Sequence, residues 1–298
     1  MRPGLTKRPC YYIIWLYFMK ISVAEQAGFC FGVKRALKLI NEYHRLGKKI
    51  QTFGPLIHNA PVLNDLAAKG IGRADSLAGI DRGRTLCIRT HGIPRDVERR
   101  LKRRRVPTLD ATCPLVKKGQ KIIEQIGRGG QPVLIVGDKS HPEIVAARSY
   151  ARQVKIINSL AAARALPRSR EISVVAQTTL DTVFFKEVVA ILMDKAEKLH
   201  VFNTICQATQ ERQDAVRRLA PKVDAVIVVG SRISSNTKKL FQIARASNRN
   251  AMRIETCDDL QRPRTVARLK TFRSIGITAG ASTSPQELDN VKKFLQKL

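Results

Sequence analysis

The sequence predicts an α/β protein built as a trefoil of three similar units in pseudo-threefold arrangement, and three observations predict it. Cysteines at 30, 113 and 206 are each followed, 28 residues later, by a polar signature beginning at His58, His141 or Ser234. Between cysteine and signature, each stretch reads as an amphipathic helix and then a short apolar strand closed by glycine. Each stretch then supplies a second apolar strand ending in another polar loop. Ligands of open α/β sheets sit beyond the carboxyl ends of strands, so six such loops are most economically turned toward one shared centre.

The first unit opens with Ile21 to Ala24, the strand expected to deliver Cys30. Val33, Ala36, Leu37 and Ile40 then fall at i, i+3, i+4 and i+7, a helical stripe that faces a core. Ile50 to Phe53 leads to Gly54-Pro-Leu-Ile-His58-Asn59, and Leu86-Cys-Ile88 leads to Thr90-His91-Gly92. In the second unit a helix with Ile122, Ile123 and Ile126 precedes Val133 to Val136 and Gly137-Asp-Lys-Ser-His141-Pro-Glu143. Its second strand, Ile172 to Ala176, ends at Gln177-Thr178-Thr179. In the third, Ala208, Ala215, Val216 and Leu219 lead to Val226 to Val229 and Gly230-Ser-Arg-Ile-Ser234-Ser235-Asn236. Ile275 to Ile277 then runs into Thr278-Ala-Gly-Ala-Ser282. Divisions are expected near 107 and 200, just before Pro107-Thr-Leu-Asp110 and Val201-Phe-Asn203, giving units 19–106, 107–199 and 200–280.

The composition bounds the partners. A chain of 298 residues with 44% hydrophobic content can bury the cores of two or three modest domains. Its 54 Lys and Arg against 24 Asp and Glu leave a formal charge of +30, which favours anionic partners. The densest basic run, Arg99 to Arg105, has no interleaved aromatic residues for base stacking, so it reads as a solvated helix face rather than a specific nucleic-acid site. Residues 1–18 form an atypical extension with the only Trp and three of the five Tyr. Its apolar run, Cys10 to Met19, is too short to span a bilayer. Ser22-Val23-Ala24 imitates a signal-peptide cleavage site, but cutting there would remove the strand that delivers Cys30. A start at Met19 or an added peripheral segment fits better, and with it a cytoplasmic location.

Six scattered cysteines do not form a secreted disulfide framework, and none lies in a C-x-x-C pair that would favour a zinc ribbon or a redox dithiol. Cys87, within a strand, and Cys257 read as small buried apolar residues. The matched register of Cys30, Cys113 and Cys206 points instead to a shared metal centre, with structural zinc as the competing occupant. Three thiolates on a [4Fe–4S] cluster leave one iron open, a species that can also isolate as [3Fe–4S]. An open iron can act as a Lewis acid while the cluster delivers electrons, the two requirements for reductive removal of a hydroxyl. His58, His91 and His141, with Ser234, Ser235, Asn236 and Ser282, offer donors for a diphosphate. Glu143 is the candidate proton source if burial raises its pKa, and a helix cap otherwise.

Ala27-Gly-Phe-Cys30-Phe-Gly-Val-Lys-Arg-Ala36, Asp110-Ala-Thr-Cys113-Pro and Asn203-Thr-Ile-Cys206-Gln-Ala-Thr209, together with His141-Pro-Glu143, Gln177-Thr-Thr179, Ser234-Ser-Asn236 and Ala279-Gly-Ala-Ser282, resemble the 4-hydroxy-3-methylbut-2-enyl diphosphate reductase family. The resemblance covers nearly the whole chain from Met19. It implies two-electron reduction of an allylic hydroxy diphosphate to isopentenyl and dimethylallyl diphosphate in non-mevalonate isoprenoid biosynthesis. It also implies that residues 281–298 pack back on the first unit. The family's cluster ligands fall on Cys30, Cys113 and Cys206. Its diphosphate-binding residues fall on His58, His91, Ser234, Asn236 and Ser282, with Ser235 and His141 adjoining. Its proton-delivery residues fall on Glu143 and Thr178, and a site-lining threonine on Thr209. The expected electron donors are small ferredoxins or flavodoxins, commonly acidic, docking on part of the basic surface. The sequence departs from the family after Glu143, at Ile144 to Tyr150, and at Ser284-Pro285-Gln286. Two other readings remain: a quinolinate-synthase-like dehydratase, against which the His and Ser loops count, and a nucleic-acid-binding module with a structural metal.

Overall fold

The structure, a computed structural model, describes residues 19–298. The expectations for residues 1–18 lie outside the described residues. Strand β1 (Lys20–Val23) comes first, and the rest of the chain forms three four-stranded parallel sheets. The first contains β2 (Ile50–Phe53), β3 (Gly72–Ala74), β4 (Thr85–Ile88) and β5 (Thr108–Asp110), and the second β6 (Val133–Val136), β7 (Val154–Ile157), β8 (Ser169–Ala176) and β9 (Ala196–Phe202). The third is made of β10 (Ala225–Val229), β11 (Met252–Ile254) and β12 (Ser274–Ala279), completed by β1. Parallel pairing requires crossovers, and the intervening helices cover the sheet faces. This is why β6 and β10 can be wholly buried apolar runs.

The three sheets share one strand order: β3-β2-β4-β5, β7-β6-β8-β9 and β11-β10-β12-β1. In each, the chain steps outward from the first central strand and then crosses to the second, so a topological switch point lies between them. These central strands are the six whose polar loops the sequence singled out. Crevices for ligands open at switch points, and here three crevices face one centre.

The edge strand that delivers each cysteine belongs to the preceding sheet. β5, leading to Cys113, pairs with β4; β9, leading to Cys206, pairs with β8; β1, leading to Cys30, pairs with β12. Divisions at 107 and 200 therefore cut sheets: Thr108–Asp110 completes the first, and β9 runs across residue 200. Sequence periodicity cannot reveal this, because it reports which face of a strand is buried and not which strand it pairs with. The last helix, Pro285–Gln296, likewise joins the third core, where Val291 and Leu295 pack with Ile275 and Ile277, although that core also includes Met19 and Ile21. The unfamiliar Ser284-Pro285-Gln286 starts this helix: the Ser284 side chain accepts from Glu287 N–H, and Pro285 occupies the first helical position.

The basic run lies along the amphipathic helix Arg95–Arg103 and just past its end, at Arg104 and Arg105; Leu101 is buried, and Glu98 pairs with Arg95 and Lys102. Ser149 and Tyr150, in the other unfamiliar segment, join the first and second units. Ser149 Oγ accepts from Arg95 N–H (2.8 Å), and the Arg95 guanidinium lies over the Tyr150 ring.

Candidate active site

Cys30, Cys113 and Cys206 occupy equivalent positions, each the N-cap of a helix: Phe31–Arg45, Pro114–Arg128 and Gln207–Leu219. Each backbone N–H donates to a carbonyl in the loop after the neighbouring strand: Cys30 to Ala281, Cys113 to Thr90 and Cys206 to Thr178, at 2.9–3.0 Å. None of the three side chains caps its own helix, so the thiols are left for another partner. They are free and line one cavity. A Cβ on Gly32 would stand 2.9 Å from Cys113 Sγ and 3.8 Å from Cys30 Sγ, so glycine is what lets the first two helix starts close around the sulfurs. Burial pushes the Cys113 thiol up, and the neighbouring Cys30 and Cys206 push it further. Three converging sulfurs are costly to bury as anions without a cation, and helix N-termini favour them as thiolates. The donor set therefore fits a metal centre, and the same cavity holds a second candidate set in His58, His91 and His141, whose ligand atoms lie within 4.8 Å of one another.

Two arginines that sequence reasoning missed tie the cysteine segments together. Arg35 donates to the carbonyls of Asp110 and Thr112, fastening the first cysteine helix to the approach to Cys113. Arg212, only 3% exposed, donates to Gly28 O (2.7 Å) and Ala208 O (2.8 Å), linking the Cys206 helix to the approach to Cys30. Its Nε is buried without a partner. Helical spacing put Arg212 on the buried face, but charged residues in helices are ordinarily solvated, so nothing in the sequence marked it. Arg212→Gln should lower iron uptake of the apo-protein ~10-fold or more, the range for a partner that orients metal ligands. Iron content after anaerobic reconstitution checks it.

The remaining residues form a polar wall of the same cavity. The His58 and His91 rings lie 4.8 Å apart and the His91 and His141 rings 5.3 Å apart, centroid to centroid. His141 Nδ1 accepts from Glu143 N–H (3.3 Å), so the neutral ring presents Nε2–H as a donor. Both nitrogens of His58, Nδ1 of His91 and both amide atoms of Asn236 are buried without hydrogen-bond partners, an arrangement that awaits a ligand. Ser234 caps the following helix, and Ser282 Oγ donates to His58 O (2.9 Å). Asn59, N-cap of its own helix, donates to Ser282 O (2.7 Å), closing the first unit on the third. Ser235 bridges the third unit to the second through Thr179 Oγ (3.2 Å) and Gln177 Nε2 (3.4 Å). Thr209 is buried in the cavity wall.

Burial holds all three imidazoles below their ordinary pKa. The nearby Arg89 guanidinium adds to this in each, as do neighbouring rings for His91 and His141, and His141 is lowered to about 4. Arg89 was another omission from the sequence reading; Gly54, at φ +69°, leaves room for its side chain. A histidine lowered on folding contributes stability above its unfolded pKa of 6.5, and that stability is lost as pH falls toward 4. At about 1.4 kcal/mol per pKa unit, His141 alone should cost about 3 kcal/mol over that window. Melting curves of wild type and His141→Asn should therefore converge as pH drops from 6.5 to 4.

Glu143 is buried at the start of helix Pro142–Ala147, which His141 caps in its place. Its carboxyl accepts from Thr178 N–H (2.8 Å) and Thr178 Oγ–H (2.6 Å). Burial pushes its pKa up, and these two bonds partly offset the rise. Thr178 also holds Cys206 through its carbonyl, so this carboxyl–hydroxyl pair is joined directly to a thiol segment. All thirteen residues singled out from sequence line the cavity.

Three four-stranded α/β sheets thus enclose one cavity lined by a thiol trio, an imidazole cluster and a buried carboxyl, the build of an α/β enzyme with its site at the switch points of its sheets. The profile of the LytB protein family matches residues 21–296. The chain belongs to that family. It is 39% identical over 287 residues to the 4-hydroxy-3-methylbut-2-enyl diphosphate reductase of Thermoanaerobacter sp. (strain X514), covering 94% of this chain and 98% of that protein. It is 38% identical over 283 residues to the same-named protein of Aquifex aeolicus (strain VF5), covering 93% and 96%. A solved structure of (E)-4-hydroxy-3-methyl-but-2-enyl diphosphate reductase, described as the terminal enzyme of the non-mevalonate pathway, matches with a TM-score of 0.66 at 37% identity, covering 94% of this chain and all of that one. The structure of the E-1-hydroxy-2-methyl-but-2-enyl-4-diphosphate reductase from Plasmodium falciparum matches with a TM-score of 0.87 at 29% identity, covering 94% and 88%. No helix among the described residues is long and apolar enough to cross a membrane.

Proposed function

We propose that this chain is a 4-hydroxy-3-methylbut-2-enyl diphosphate reductase, a cytoplasmic enzyme that converts the allylic hydroxy diphosphate to isopentenyl and dimethylallyl diphosphate. The observation that carries the reading is the presence, in one cavity, of three cysteine thiols, a cradle of unpartnered imidazole and amide groups, and the buried Glu143–Thr178 pair. Cys30, Cys113 and Cys206 would hold a [4Fe–4S] cluster with one iron free of protein ligands. When bound, the cluster supplies the electrons and a Lewis-acid position for the substrate oxygen.

The chain's own residues do the rest. His58, His91, His141, Ser234, Ser235, Asn236 and Ser282 bind the diphosphate, and Thr209 lines the site beside it. Neutral imidazoles in a buried site gain protons as a polyanion enters, so diphosphate affinity should strengthen with proton uptake. Thr178 Oγ holds the substrate hydroxyl, and Glu143 passes a proton through it, so that the C–O bond breaks with loss of water. A C–H bond forms at the allyl group, and two electrons and two protons are consumed. An acidic ferredoxin or flavodoxin supplies the electrons.

Anaerobic reconstitution with iron and sulfide, followed by spectroscopy with and without the hydroxy diphosphate, tests this reading. A substrate-induced change at a unique iron, accompanied by turnover, supports it. A reconstituted protein that neither responds to the substrate nor reduces it would overturn it.

A further inference from the structure

Resting on the reductase reading, we propose that the surface where helices Phe31–Arg45 and Pro114–Arg128 begin docks a small acidic protein that carries one electron at a time. Loss of each hydroxyl as water consumes two electrons, so two reduced carriers are oxidised per turnover, by one electron each. Any centre held by the cysteines must be refilled from outside, and transfer is fastest where the wall between that centre and solvent is thinnest.

Two large apolar side chains mark such a place. Phe31 follows Cys30 directly and is 68% exposed, and Leu115 lies two residues beyond Cys113 and is 40% exposed. Leu115 also lines the cavity, so this one residue meets both the cavity and the solvent. The near contact of Gly32 with Cys113 Sγ brings the two helix starts together, so Phe31 and Leu115 flank one junction. Burying them against the polypeptide would have favoured folding, and their exposure suits a surface covered only transiently.

Charge names the kind of occupant. Lys34, Lys117 and Lys118 are exposed within the first turns of these helices, and neither first turn contains an acidic residue. Lys117 pairs with Asp110, whereas neither Lys34 nor Lys118 is ion-paired among the described residues. A small apolar contact inside a cationic rim, on a chain of formal charge +30, steers and orients an acidic partner, the pattern of fast and weak redox encounters. The Arg95–Arg103 helix has comparable charge, with Arg99, Arg100 and Arg103 outside any ion pair among the described residues, but none of its residues lines the cavity.

The test compares holoenzyme driven by two reductants, an acidic two-iron ferredoxin and the methyl viologen radical, in wild type, Phe31→Ser and the double variant Lys34→Glu/Lys118→Glu. Expected for the double variant is a ~10-fold or greater loss of ferredoxin-driven kcat/KM with a flattened salt dependence, while viologen-driven rates stay within about twofold. Phe31→Ser should show the same split with unchanged iron content. Equal loss by both routes at full iron content, or no loss by either, would overturn the docking surface. Wild-type turnover with viologen but never with the ferredoxin would overturn it too. Failure of wild type by both routes would instead sink the reductase reading.

Discussion

Replacing Cys113 by serine should abolish turnover and reduce iron retention by well over ~10²-fold, since a lost ligand costs more than a lost outer-shell partner. The fold should survive. Cys113 is an N-cap whose thiol makes no capping bond, and its backbone N–H already donates to Thr90 O. Serine is among the best N-cap residues, so the apo-variant should be as stable as the apo-wild type, or more stable by ~0.5–1 kcal/mol. Iron analysis and thermal melts on the two apo-proteins measure the two halves separately. A variant that keeps its iron and its activity would show that the three sulfurs do not share a centre.

Glu143→Gln carries the next largest effect. Turnover should fall ~10²–10⁴-fold, the range for removing a positioned general acid. Glutamine preserves the shape and can still accept from Thr178 N–H, and the Thr178 hydroxyl can turn to accept from the new amide. Substrate-induced spectral change should therefore persist while product formation stops. The pH profile adds a sign. Because burial raises the Glu143 pKa, its proton is present below that raised value and lost above it, so the alkaline limb of kcat should reflect this group. An unchanged kcat in the glutamine variant would remove Glu143 from proton delivery.

Much of this site was legible because the chemistry lies in short segments with strong local signals. The apolar runs 50–53 and 133–136 coincide with β2 and β6, and the helical stripe Val33, Ala36 and Ile40 is buried as its spacing requires. The three polar signatures could be found because their distance from each cysteine repeats. What escaped has physical causes. β3 and β11 have three residues each, too few for alternation to register. Arg35, Arg89 and Arg212 act through backbone carbonyls or field effects, and neither leaves a pattern in the side chains around them. The membership of each delivering strand in the preceding sheet is a long-range pairing, visible only once the strands are placed.

The pairing of β1 with β12 also sets an order of events in the cell. The first described strand leaves the ribosome long before its partner, whose residues 274–279 are made only after the first two sheets. A nascent chain can complete the first and second sheets in turn, since each closes on residues made soon before. Cys30, however, has no fixed place until Ala281 has been synthesised to receive its N–H. A polypeptide that stops short of Ala281 would therefore hold Cys113 and Cys206 in their sheets' loops but leave Cys30 without its anchor beside them.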